Sequence, residues 1–319
     1  MSASAEPKAT PIADLPTGEP IPKSTPLPSS SPSPKKPIPL RTLLSLTPKN
    51  IDAFLTHLQR CFSTPRGIDT VLLFLCYTSR LGSSALSSLA ARALHRSAAD
   101  WIALVSASRT TVLVAADAGK LPSTAAAAAS LLLAQRLKNL SVLLSEARTI
   151  LRLWGLLGMY FWAKRLLSQT FSQPSSSGAG DDKTGPPPPT ALETTISYAQ
   201  LATCIVFQAL ENGAYLSSKG VLGWSPATQG RAMKWSARLW GLYIGVELGK
   251  LAAERVGAGP REDAKAAAQW RSAFTRNLAW APLTVHWGSD KGVVSDWMVG
   301  AIACVPGVIQ MREVWRETA

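Results

Sequence analysis

Apolar residues recur every three or four positions along most of this 319-residue chain, and no stretch alternates as a half-buried strand would. The pattern predicts an all-α protein. A first helix is expected to start at Thr47, a residue able to cap, with Pro48 at the first helical position. Ile51, Phe54, Leu55 and Leu58 then recur on one side, while Lys49, Asp52, Gln59 and Arg60 lie away from them. Helical patterning continues over 68–79, 84–96, 98–117 and 123–167, and again from 190 onward with an interruption at 256–263 (VGAGPRED).

The pattern within 137–167 changes character part-way. Lys138, Ser141, Ser145, Arg148, Thr149 and Arg152 fall within a narrow arc of a 100°-per-residue helix, and Leu140, Leu143, Leu144, Ala147, Ile150, Leu151 and Trp154 cover the other side. From Gly155 to Ala163 no polar face remains, and the segment closes on Lys164 and Arg165. The charge-free run 153–163 would make about 17 Å of helix against a hydrocarbon core of ~30 Å. Other apolar runs are also short or diluted: 194–210 contains Thr, Ser and Gln, 297–311 contains Pro306, and 235–253 contains Arg238, Glu247 and Lys250. The expectation is a membrane-associated helical bundle with amphipathic helices and one to three marginal transmembrane helices.

Composition sets the boundaries. Residues 1–40 hold eleven prolines and cannot bury enough surface to form a core, so a disordered Pro/Ser-rich tail is expected there. Its Ser31-Pro32 and Ser33-Pro34 steps resemble phosphorylation sites. SQPSSSGAGDDKTGPPPPT, 172–190, reads as a flexible linker between a basic amphipathic half (41–171) and a Trp-rich membrane-embedded half (191–319). The net charge of +13 is concentrated in the first of these: 47–171 holds fourteen Lys/Arg against five Asp/Glu. That bias calls for an acidic partner, either nucleic acid or an anionic lipid face. Eight of the eleven tryptophans lie between Trp224 and Trp315, often at ends of apolar runs, and this favours the lipid face. A mean hydropathy of +0.10 points the same way. The cysteines Cys61, Cys76, Cys204 and Cys304 stand singly, as small buried hydrophobes of a reducing compartment do. No signal peptide is expected at the N-terminus, and the closing ETA is not an SKL-type matrix signal.

Enzymatic chemistry finds no anchor. His57, His95 and His286 lack metal-ligand spacing, and His286, beside Trp287, reads as a packed residue. There is no GxSxG, GxGxxG or GK[ST] loop, and GDDKTG sits in the linker with no strand before it. No catalytic residue, metal or cofactor is expected. Gly241, Gly245 and Gly249 at four-residue intervals leave a smooth helix face suited to close packing, within the chain or between copies. Glu247 lies off that face and needs a partner such as Lys250 or Arg238.

Three segments in the same order resemble the peroxin-eleven family of peroxisome elongation and proliferation proteins, specifically its gamma-like, fungal C-type branch. They are LSEARTILRLWGLLGMYFWAKRLL (144–167), ALENGAYLSSKGVLGWSP (209–226) with the following RAMKWSARLWGLYIGVELGKL, and LTVHWGSDKGVVSDWMVGAIACVPGVIQM (283–311). The resemblance implies a non-enzymatic peroxisomal membrane protein, its termini facing the cytosol. It would insert amphipathic helices into the cytosolic leaflet, associate with itself or other family members, and help recruit a dynamin-type fission GTPase and its adaptor. On this reading the anionic phospholipid headgroups are held by Lys138, Arg148, Arg152, Lys164 and Arg165. The inserting apolar residues are Phe54, Leu55, Leu58, Ile150, Leu151, Trp154, Phe161 and Trp162, with 49–62 and 144–167 as equal candidate wedges. Two other readings stand beside it. One is a membrane pore lined by Gln200, Thr203, Gln208 and Glu211. The other is a soluble basic helical module for nucleic acid, suggested by RAMKWSARLW but disfavoured by the apolar stripes.

Overall fold

A computed structural model describes residues 48–107, 122–171, 190–257 and 264–319. Among these residues there are eight helices and no strand, so the fold is all-α as the periodicity predicts. The helices are α1 (Pro48–Cys61), α2 (Pro65–Ala107), α3 (Pro122–Arg152), α4 (Gly155–Phe171), α5 (Ala191–Ser218), α6 (Pro226–Gly257), α7 (Ala264–Gly288) and α8 (Asp296–Glu317). The expected tail at 1–40 and linker residues 172–189 lie outside the described residues. Thr190 is described. It caps α5, its hydroxyl accepting from the Glu193 amide while the Glu193 carboxylate accepts from its own, a reciprocal pairing of otherwise orphaned donors.

The chain forms two compact units, and they are cut differently from the two expected halves. Among the described residues one unit holds 48–147 together with Val294–Ala319, and the other is Arg148–Val293. The last helix therefore belongs with the first ones, and the boundary falls inside α3.

In the unit that contains α8, α2 is one 43-residue helix where three shorter segments, 68–79, 84–96 and 98–117, are expected. Ser83, between two of the expected segments, is instead a packing position. Ser83 donates to the Ala134 carbonyl at 2.7 Å, and the Cys76 thiol donates to the Ser141 carbonyl at 3.4 Å. These pairs run antiparallel, as do the α2–α8 contacts. Arg80 reaches Asp296, Gly300 lies against Leu81, and Gly307 lies against Phe74. A Cβ on Gly300 would stand 3.0 Å from the Leu81 backbone nitrogen, so glycine is what lets the two backbones approach.

Short α1 packs across the end of α8. Phe54 and His57 meet the Trp315 ring, and Cys61 joins Val71 and Val314 in a small buried cluster. Burial lowers the His57 pKa, outweighing its hydrogen bond to the Trp315 carbonyl, and Arg60 adds repulsion. The ring is thus neutral at neutral pH.

In the other unit α4, α5, α6 and α7 form an up-and-down meander. Thr170 meets Tyr198 and Gly155 meets Gln208 between α4 and α5, and Gln200 meets Glu247 between α5 and α6. Gly241 meets Thr284, and the Trp270 indole donates to the Leu251 carbonyl, between α6 and α7. Its core contains Phe207, Ile244 and Leu283 with three buried indoles, Trp240, Trp280 and Trp287, at centroid separations of 5.5 to 6.4 Å. His286 is a packed residue, its Nδ1 accepting from the Val293 amide across the turn that Gly292 makes at φ +68°. Among the described residues no helix is long and apolar enough to cross a membrane, so the one to three marginal transmembrane helices expected from sequence are not found there: polar residues dilute 194–210 and 235–253, and 297–311 is only 15 residues long.

Candidate membrane-facing surface and the buried charges behind it

The periodicity of α3 is as expected, but its orientation is reversed. The polar arc faces inward: Ser141, Ser145, Arg148, Thr149 and Arg152 are all buried, Arg148 at 0% exposure and Arg152 at 2%. The leucine side faces outward, with Leu131, Leu132, Leu133, Leu140, Val142, Leu143 and Ile150 exposed and Leu143 at 63%. Arg148 and Arg152 are therefore not surface residues able to hold headgroups, as expected from sequence. That expectation is corrected by the chemistry they meet inside.

Arg152 donates to both oxygens of Glu211, at 2.8 Å through Nη2 and 3.2 Å through Nε, and Nη2 also reaches the Thr149 hydroxyl at 3.2 Å. The forked geometry matches a carboxylate, which is why arginine suits such a buried pair. Gln208 donates to Glu211 at 3.2 Å and to Asn212 at 2.7 Å, and Asn212 donates to the Leu153 carbonyl at 3.3 Å. Arg148 acts on the same carboxylate electrostatically. The Leu153 contact matters locally, since 153–154 is where the helix breaks between α3 and α4. Gly155 then lets α4 come close to α5: a Cβ there would lie 3.1 Å from the Gln208 amide oxygen. A polar network thus sits at the point where the amphipathic helix ends and the apolar first half of α4 begins.

The remaining named residues divide by position. Lys138, Lys164 and Arg165 are exposed, and Lys164 and Arg165 line a shallow depression with Phe161 and Ser168. Ile150, Leu151, Trp154 (75% exposed) and Phe161 stand outward, while Trp162 is half-buried. On α1 Leu55 is exposed and Phe54 and Leu58 are half-buried. Of the glycine face only Gly241 is used inside the chain. A Cβ there would fall 2.8 Å from the Thr284 hydroxyl, whereas Gly245 and Gly249 meet nothing within 4 Å. Glu247 finds its expected Lys250 at 2.9 Å and also accepts from Gln200 at 2.7 Å. Arg238, the other suggested partner, instead donates to the Gly288 carbonyl and stacks on Trp235. Of the polar residues considered for a pore, Gln200, Gln208 and Glu211 are buried in hydrogen-bonded contacts, and Thr203 bonds back to the Ala199 carbonyl of its own helix. The tryptophans split between roles, with Trp240, Trp280 and Trp287 in a core and Trp154, Trp235 and Trp297 exposed.

The network residue that sequence reading misses is Asn212. It lies on a stripe of α5 formed with Gln200, Cys204, Gln208, Glu211 and Tyr215, all buried, and that spacing was available in the sequence. No family model, curated protein or solved structure matches the chain.

Proposed function

We propose that this is a membrane-remodelling protein of the peroxisomal membrane. It promotes elongation, fission and proliferation of the organelle by seating amphipathic helices in the cytosolic leaflet and associating with further copies. One observation carries the membrane part of the reading: the polar arc of α3 is buried while the leucines on its other side, with Trp154 and Phe161 beyond them, are exposed. In water such an arrangement exposes large apolar side chains on successive turns of one helix, the kind of patch that marks an interaction surface. Against acyl chains it is the favourable one, because buried charge is paired and the backbone is satisfied within helices. The assignment to peroxisomes rests on the resemblance of 144–167, 209–226 and 283–311 to the peroxin-eleven family.

An apolar helix face sunk into one leaflet expands that leaflet and bends the bilayer. Lys138, Lys164 and Arg165 hold the anionic headgroups, each contributing roughly 1 kcal/mol near the surface. The open Gly245–Gly249 face of α6 serves self-association, and a dynamin-type GTPase with its adaptor completes fission. Flotation with vesicles tests the electrostatic part. The pair Lys164→Glu and Arg165→Glu is expected to weaken binding to phosphatidylserine-containing vesicles by at least about tenfold, with little change on neutral vesicles. Equal loss on both would remove headgroup contact from the account. In cells, the same pair should leave fewer and larger peroxisomes.

A further inference from the structure

α1 is one-sided, with Ile51, Phe54, Leu55 and Leu58 on its apolar flank, yet its most buried side chains are His57 and Cys61. What holds them is a cluster on the last turn of α8. The His57 and Trp315 rings stack at 3.8 Å between centroids, and Phe54 meets the same indole at 5.7 Å. His57 Nε2 lies 3.0 Å from the Trp315 carbonyl and 3.1 Å from the Thr318 hydroxyl. That hydroxyl donates to the Val314 carbonyl at 2.8 Å, so the neutral imidazole presents its N–H at Nε2 to both oxygens. Arg60 donates to the Thr318 carbonyl at 3.3 Å, and Cys61 Sγ stands 3.2 Å from the Thr318 hydroxyl.

These contacts are directional and few: Phe54, His57, Arg60 and Cys61 meet Trp315 of α8 and Thr318 just past its end, and Cys61 adds one small apolar cluster with Val71 and Val314. A segment secured this way opens at a lower free energy than the core does. While docked, it turns Phe54, the largest apolar side chain of its flank, onto Trp315 and leaves Ile51 and Leu55 outward. Once released, the whole flank from Ile51 to Leu58 can sink into a leaflet together.

We propose that α1 is a releasable membrane-inserting helix and that Trp315 and Thr318 are its latch. The proposal rests on the membrane reading above and adds to it a contact that withholds one wedge until it opens. Opening costs the protein the indole stack, the Thr318 contacts and the Cys61 cluster with Val71 and Val314, and the bilayer returns burial of Phe54 and Leu58.

The test uses the full chain with an environment-sensitive fluorescent amino acid at position 55, which points away from α8, and phosphatidylserine-containing vesicles as the probe. Trp315→Ala should raise the inserted fraction of α1 roughly tenfold at limiting lipid. Thr318→Cys places a second thiol within reach of Cys61, so mild oxidation should close a disulfide between α1 and α8. The oxidised protein should show no insertion at position 55, and reduction should restore it in the same sample. Because locked and released forms are one polypeptide, this comparison decides the matter even where Trp315→Ala loses its fold. Equal insertion by the oxidised and reduced forms overturns the latch and leaves the membrane reading standing, and so does failure of the disulfide to form. If neither form binds vesicles at all, the membrane reading falls and the latch with it.

Discussion

Glu211→Ala is expected to lower the stability of the Arg148–Val293 unit by about 3–5 kcal/mol, because it leaves Arg152 charged and buried without its carboxylate. The side chains of this pair are 1% and 0% exposed, so neither can turn to water without the meander opening. Glu211→Gln keeps the shape and an acceptor and should cost less than the alanine. The double change Arg152→Met with Glu211→Leu removes both charges and should recover most of the loss, since well-packed apolar side chains often replace a buried ion pair at little cost. Thermal unfolding in mild detergent, with hydrogen exchange over 148–171 and 191–218, measures all three. If the alanine variant unfolds within about 1 kcal/mol of the parent, the pair is not what fixes α3 and α4 on α5.

The second large effect concerns the outer surface. Leu143→Asp, Trp154→Asp and Phe161→Asp in one protein remove three exposed apolar side chains without touching a buried one. If those residues sit among acyl chains, each contributes roughly 1.5–3 kcal/mol to partitioning, and the triple variant should bind vesicles at least about a hundredfold more weakly. In detergent-free buffer the same variant should be more soluble and no less stable. Sedimentation with neutral vesicles separates this from headgroup attraction. Unchanged binding would mean that the exposed leucines and aromatics meet something other than lipid.

Much of this arrangement is legible in the sequence, and the failures have a common cause. Periodicity gives the all-α character, the polar arc from Lys138 to Arg152, and the change of character at Trp154–Gly155 where α3 ends and α4 begins, but not the single length of α2. It cannot say which side of an amphipathic helix faces the neighbouring helices. Arg148 and Arg152 point inward because Glu211 and Gln208 wait there, and Glu211 is 59 residues from Arg152 in sequence. Without that distant carboxylate in view, the same arc reads as a surface for headgroups. The same distance hides the partnership of α8 with α2, which joins Arg80 to Asp296 across 216 residues and overrides the division suggested by the proline-rich linker. The glycine face is half legible: Gly241 does admit a neighbouring helix, but only the fold reveals that Gly245 and Gly249 are left open.

The central claim is that lipid, not water, covers the apolar exterior. Spin labels placed one at a time at Leu132, Leu143, Val206 and Leu242, all exposed and apolar, test it directly in phosphatidylserine-containing liposomes. The account predicts collisions with dissolved oxygen and protection from a water-soluble nickel relaxant at all four positions. A label at Asp290, on a polar turn outside the apolar surface, should show the reverse. Free access of the nickel reagent to Leu132, Leu143, Val206 and Leu242 would contradict the account.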